Sequence, residues 1–134
     1  MNVICRFCQN ERESKDNLFF FCCNLSMSIW KKALQLCRLK RAVGSLSEEL
    51  QWASQKLKGK ALISIVLRIA WKATIYHIWR ERNRRLYAQI SESPSQLFQY
   101  VKEAVQLKTL GLVNIADDPI NRSLFSNWDL SFFA

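Results

Sequence analysis

Four cysteines crowd the first 23 residues: Cys5 and Cys8 bracket Arg-Phe, and Cys22 and Cys23 follow the run Asn17-Leu-Phe-Phe-Phe. Thiolates are strong donors to zinc. A pair separated by two residues can turn both sulfurs toward one ion, and a second pair of donors about a dozen residues later completes a tetrahedron. Here the second pair is irregular. Asn17 offers an amide, a poor donor for a borderline-soft ion, and the only histidine, His77, lies far along the chain. The candidate metal ligands are therefore Cys5, Cys8 and Cys22, with Cys23 or Asn17 near the fourth corner. The alternative is a set of reduced thiols packed with Phe7, Leu18, Phe19, Phe20 and Phe21, because free cysteine sits comfortably in apolar cores.

Other chemistries fit the residues less well. A redox role for Cys5-Arg-Phe-Cys8 needs a strand before the motif and a helix starting at its first cysteine, and only four residues precede Cys5. His77 stands one turn from Arg80 with no acid at usable spacing, so it reads as a helix-surface or interface histidine. Ala116-Asp117-Asp118 resembles a magnesium-holding acidic pair, yet it precedes Pro119 after a helical pattern and has no strands on either side. It reads as loop acids following a helix. There is no glycine-rich phosphate loop, and a single histidine supplies no Ser-His-Asp set. No catalytic residue is expected.

The charge is more informative. The formal net charge is +9, and residues 31–85 hold fourteen Lys or Arg against Glu48, Glu49 and Glu81, so the basic excess is concentrated in the middle of the chain. A polyanion would meet that region rather than the ends. Within it, Tyr76-His-Ile-Trp79-Arg80-Glu-Arg82-Asn-Arg84-Arg85 interleaves aromatic rings with guanidinium groups, which bind phosphate oxygens bidentately and stack on bases. Arg80 and Arg84 share one line of a helix and Arg82 and Arg85 another, so the four do not all meet one groove. Lys31 and Lys32 add a basic pair upstream. The nucleic-acid candidates are thus Lys31, Lys32, Arg80, Arg82, Arg84 and Arg85. The alternative is a solvated face in which Trp79 packs inside and the arginines pair with Glu81 and the acids of the tail.

These groups need a scaffold, and the chain of 134 residues, 49% hydrophobic with 3 Gly and 2 Pro, favours long helices in one domain. Leu25, Ile29, Ala33 and Leu36 mark an amphipathic helix from about 25 to 39. Ser45-Leu-Ser-Glu48 has the form of a capping box, and Leu46, Leu50, Ala53 and Leu57 follow on one stripe until Gly59. Over 60–88, Leu62, Ile65, Val66, Ile69, Ala73 and Tyr76 form one face, widened by Trp71, Ile75, Ile78 and Trp79. This is the expected core helix, and Arg68, Lys72 and His77 argue against its crossing a membrane. Ser93 and Pro94 start a last helix that carries Leu97, Tyr100, Val101, Ala104 and Leu107 toward Gly111. The segment 112–134 has no period but is rich in Leu and aromatic residues, so it is expected to dock as irregular or short extended structure. The reading is mainly α: a small cysteine knuckle over 1–24, about four helices over 25–111, and a docked aromatic tail.

Two blocks are more distinctive than any periodicity. Cys5-x2-Cys8, Glu13-Ser14-x2-Asn17-Leu-Phe-Phe-x-Cys22, Leu25-Ser26 and Ile29-Trp30 make up the first, and Ala73-Thr-Ile-Tyr76-x-Ile-Trp79-Arg-Glu-Arg-Asn83-x-Arg85 the second. Together they resemble the zinc-binding domain at the C-terminal end of plant non-LTR (LINE-type) retrotransposon reverse transcriptases. That family usually has histidine where Asn17 stands, so the resemblance maps Cys5, Cys8 and Cys22 onto three zinc ligands and leaves the fourth substituted. It implies an accessory, non-catalytic module handling nucleic acid, the polymerase and endonuclease parts of such elements lying before position 1. The partners implied are an RNA or DNA backbone and a reverse transcriptase in trans, with no membrane and a monomeric state. An odd number of cysteines and no secretory leader suggest an intracellular location, nucleus or cytoplasm. The competing reading is a degenerate retroelement remnant acting as an inert or protein-interaction helical domain.

Overall fold

The computed structural model describes residues 24–42, 46–88, 91–112 and 115–130; Cys5, Cys8, Asn17, Cys22 and Cys23, and with them the expected knuckle, lie outside the described residues. The rest is mainly α. Five α-helices run α1 (Asn24–Leu36), α2 (Leu46–Lys56), α3 (Leu62–Asn83), α4 (Pro94–Thr109) and α5 (Pro119–Trp128), with a π-helical turn, Arg84–Ala88, continuing α3. No strand occurs among the described residues.

The first helix buries Leu25, Ile29, Trp30, Ala33 and Leu34 and leaves Lys31, Lys32 and Gln35 in solvent. It stops at Leu36, short of the expected residue 39, because Arg38 adopts a left-handed conformation (φ 58°). The Leu39 N–H then donates back to the Leu34 carbonyl (2.9 Å) and the Arg38 N–H to Gln35 (2.9 Å), a Schellman closure that satisfies the last carbonyls. Glycine usually fills that position; arginine here carries the steric cost of the left-handed well.

In α2 the observed face is rotated from the predicted stripe. Leu50 is 49% exposed, and Glu49, fully buried, points inward with Ala53. A carboxylate can be buried only if its lone pairs are filled. Trp30 Nε1 donates to Glu49 Oε1 (3.0 Å), and Arg41 reaches both oxygens (2.6 and 2.7 Å) while its guanidinium lies 4.3 Å from the centre of the Trp52 ring. The short link to α3 is tight. Ser64 Oγ donates to the Lys56 carbonyl (3.0 Å), and a Cβ at Gly59 would come within 2.8 Å of that hydroxyl.

The central helix α3 buries Leu62, Val66, Leu67, Ala70, Trp71, Thr74 and Ile78. Tyr76 and Trp79, expected in the core, are 55% and 51% exposed instead. The inward stripe passes through Thr74, whose hydroxyl is satisfied by the Ala70 carbonyl (2.7 Å), and reaches Glu81 rather than Trp79. By length and composition α3 is the one helix among the described residues able to cross a membrane, and half of that apolar window is buried against its neighbours.

The chain then returns through the π turn into α4, which packs along α3. Ser93 caps α4 by accepting from the Gln96 N–H (3.1 Å), with Pro94 at the first helical position, as the sequence predicts. Leu97, Phe98, Val101 and Val105 face the core, whereas Leu107 is exposed.

The expected irregular tail is corrected by α5. Asp118 caps it by accepting from the Asn121 N–H (2.8 Å), and Pro119 follows at the first helical position. The arrangement repeats that of Ser93 and Pro94. Leu124, Phe125 and Trp128 dock into the core shared by all five helices. Asn127 Nδ2 donates to the Leu36 carbonyl (3.0 Å), Gln106 Nε2 to the Trp128 carbonyl (3.0 Å), and Lys102 pairs with Asp129 (2.7 Å) where the helix closes.

Candidate nucleic-acid interface

The six basic residues singled out from the sequence divide between structural and solvent-facing roles. Arg85 is structural. Its Nε donates to buried Glu81 Oε2 (2.6 Å) and its Nη2 to the Glu92 carbonyl (3.3 Å), while the Glu92 N–H also donates to Glu81 Oε2 (2.9 Å). This knot fixes the turn from α3 to α4. Arg84 joins it at longer range, 3.5 Å from Glu92 Oε1, the oxygen that also accepts from the Tyr100 hydroxyl (3.1 Å). Arg82 is half-buried and donates to Asn83 Oδ1 (3.2 Å). Lys31, Lys32 and Arg80 are exposed, with the Lys32 ammonium 5.3 Å from the centre of the Phe98 ring. These residues therefore belong to three places: the solvent face of α1, the last turn of α3, and the π turn.

A more coherent basic surface lies along α3. Arg68, Lys72, Tyr76 and Arg80 recur at intervals of four, which places them on one side of the helix over about 18 Å at 1.5 Å per residue. Arg68 is half-buried; the other three are exposed. Lys108 of α4 faces Arg68 and Lys72 across a groove of about 410 Å³ that Tyr76, His77, Ile69, Ala73 and Ala104 also line. A second groove, about 480 Å³, continues from it through Lys72 and Tyr76 to Trp71, Ile75 and Trp79. Neither lining contains a carboxylate.

Among the described residues, no three His, Cys, Asp or Glu side chains come together in a way that could hold a metal ion. Asp117 is paired with Arg122, whose hydrogen bond holds its carboxyl below the ordinary value, and Asp118 is the α5 cap. Both carboxylates of the acidic pair are thus engaged locally. Burial pushes the Cys37 thiol up to about 12, against a small opposing pull from Trp128, so it is neither ionised nor nucleophilic at neutral pH. His77 is half-buried and stacks on Tyr100 (5.3 Å, 29°). Burial first, and then the Arg80 charge, lower its pKa against the opposing effect of Glu103, so the ring is neutral at pH 7.

No protein-family model, curated protein or solved structure matches the chain. The site is therefore read from its own geometry. Arg68, Lys72 and Lys108 were missed as a group by the sequence reading, in which the first two enter the central charge and the argument against a membrane span. The signal was present: Arg68, Lys72, Tyr76 and Arg80 at four-residue spacing put three cations and a tyrosine on one side of the helix.

Proposed function

We propose that this chain is a non-catalytic module that binds nucleic acid, RNA in the first instance, through the basic side of α3. The observation that carries the reading is the groove in which Arg68 and Lys72 of α3 face Lys108 of α4 with no acid in the lining. Cations so arranged concentrate positive potential and attract a phosphate backbone. Arg80 extends the line, while Arg85, committed to Glu81, serves the fold. Lys31 and Lys32 would contribute a peripheral contact on α1.

Four phosphate contacts give a definite salt dependence. For single strands the logarithm of affinity falls by about 0.7 per contact for each tenfold rise in salt, so binding should weaken about fifty-fold between 50 and 200 mM. Fluorescence anisotropy with a labelled single-stranded RNA measures this. Absence of saturable binding at 50 mM salt would overturn the reading and favour the retroelement remnant with an inert or protein-interaction role.

The resemblance of the N-terminal segment supports a zinc site at Cys5, Cys8 and Cys22, with Cys23 at the margin and Asn17 in place of the family's histidine. Loss of one ligand weakens a small knuckle, and the binding energy of a structural metal is coupled to folding. Asn17→Ala should therefore change little, whereas Asn17→His should raise both zinc retention after mild chelation and the melting temperature. Elemental analysis and thermal denaturation read the two. Stoichiometric zinc in the parent chain that disappears in Cys23→Ser would instead assign a four-thiolate site.

A further inference from the structure

The geometry points to single-stranded nucleic acid as the ligand of this surface, with unpaired bases stacking on Tyr76 and Trp79 while phosphates rest on Arg68, Lys72 and Lys108. This rests on the nucleic-acid reading above and goes beyond it by naming the strand state and the residues that sense it.

Large aromatic side chains left in solvent forgo the stabilisation of burial. Tyr76 and Trp79 are both more than half exposed, one helical turn apart, so their rings are neighbours on the same side of α3. Tyr76 lines the cationic groove itself, and Trp79 lines the second groove, which adjoins the first through Lys72 and Tyr76. Exposed rings beside a row of cations make up the two halves of a single-strand site: one tracks the backbone, and the other accepts the faces of bases without regard to sequence.

Tyr76 is also braced from behind. His77 meets it edge-on (5.0 Å, 82°) and stacks on Tyr100, whose hydroxyl is tied to Glu92. The chain of contacts connects the stacking residue to the Glu81 knot at the helix turn, so the platform is organised before a ligand arrives. Glu103 is the acid whose charge reaches His77; it lies on α4 and lines neither groove.

A duplex cannot use this platform. Its bases are already stacked on one another, so it would gain only the phosphate contacts. Trp79 provides a direct readout, because it is the exposed one among five tryptophans; Trp30, Trp71 and Trp128 are buried and Trp52 lies half-covered by Arg41.

The experiment titrates the full chain with a pyrimidine-rich single-stranded RNA, the DNA of the same sequence, and an RNA duplex of equal length, all at one low salt concentration. The expected result is that both single strands bind about tenfold or more tighter than the duplex and quench tryptophan emission, in line with the strength of base stacking on aromatics. Trp79→Ala with Tyr76→Ala should bring single-strand affinity down to that of the duplex and leave duplex binding unchanged. Trp79→Phe should keep most of the preference while losing most of the quench. Both residues are on the surface, and circular dichroism checks that each variant folds.

Equal affinity for single and double strands, unchanged in the aromatic variants, would overturn the stacking assignment while leaving phosphate binding intact. Binding of no nucleic acid at all would overturn the nucleic-acid reading and this assignment with it. Self-association that Trp79→Ala abolishes, with no effect of the substitution on nucleic-acid affinity, would assign the exposed rings to a contact between two copies of the chain.

Discussion

Trp128→Ala is expected to destabilise the protein by about 3–5 kcal/mol, the range for truncating a buried large aromatic, and so to remove much of the stability of a domain this size. Trp128 is fully buried at the end of α5, with its ring 5.9 Å from that of Phe98 and its carbonyl accepting from Gln106. Its indole N–H finds no full hydrogen-bond partner among the described residues and leans on the weakly accepting Cys37 sulfur. Little polar compensation is therefore lost with the side chain, and the cost is that of the cavity. Urea unfolding followed by far-ultraviolet circular dichroism gives the value. A change below about 1 kcal/mol, with early proteolytic release of the C-terminal segment, would mean that α5 unfolds on its own rather than as part of the core.

Arg41→Met is expected to cost about 3 kcal/mol, toward the lower end of the range for breaking a buried ion pair because the arginine retains some exposure. The substitution takes two guanidinium hydrogen bonds from the buried Glu49 carboxylate, which keeps the one from Trp30 Nε1, and it removes the guanidinium that covers Trp52. The companion variant makes the cause identifiable. Arg41→Met with Glu49→Leu removes both charges, so stability should return most of the way, short by about 1–3 kcal/mol because the hydrogen bond from Trp30 Nε1 to the carboxylate goes with them. A double variant no more stable than the single one would show that Arg41 acts through packing on Trp52, not through charge.

Most helix positions were legible in the sequence because apolar spacing and capping chemistry agreed. Ser93 and Pro94 mark the start of α4 in sequence and structure alike. The same chemistry at Asp118 and Pro119 was overlooked: the preceding Asp117 made the pair look like an acidic motif, and the ten-residue helix is too short for a strong period. Leu124, Phe125 and Trp128, one helical stripe, were the available clue. The rotation of α2 was not legible, since burying Glu49 depends on Arg41 and Trp30, eight and nineteen residues away. Periodicity also misassigned Tyr76 and Trp79. Apolar residues surround α3 on nearly every side, so hydrophobicity alone left its inward face ambiguous, and Thr74 and Glu81, polar yet buried, decided it.

The site was legible in part for a related reason. Arginine density drew notice to 80–85, where Glu81 and Glu92 in fact engage Arg84 and Arg85, and away from Arg68 and Lys72, whose partner across the groove comes from another helix. Lys108 lies 36 residues beyond Lys72, and only the packing of α4 on α3 brings the two to one groove.

The central claim is that the α3–α4 groove is where nucleic acid binds, and charge reversal within it is the most direct test. The parent chain, Arg68→Glu with Lys72→Glu, and Lys31→Glu with Lys32→Glu are compared for affinity to one single-stranded RNA at 50 mM salt, each after its fold is verified. The two reversals change net charge equally, so a general electrostatic effect would weaken both alike. The account predicts that the α3 reversal lowers affinity at least about a hundredfold, as expected for losing two phosphate contacts and adding repulsion, while the α1 reversal lowers it only several-fold. Equal losses in the two variants, or a larger loss from α1, would contradict it.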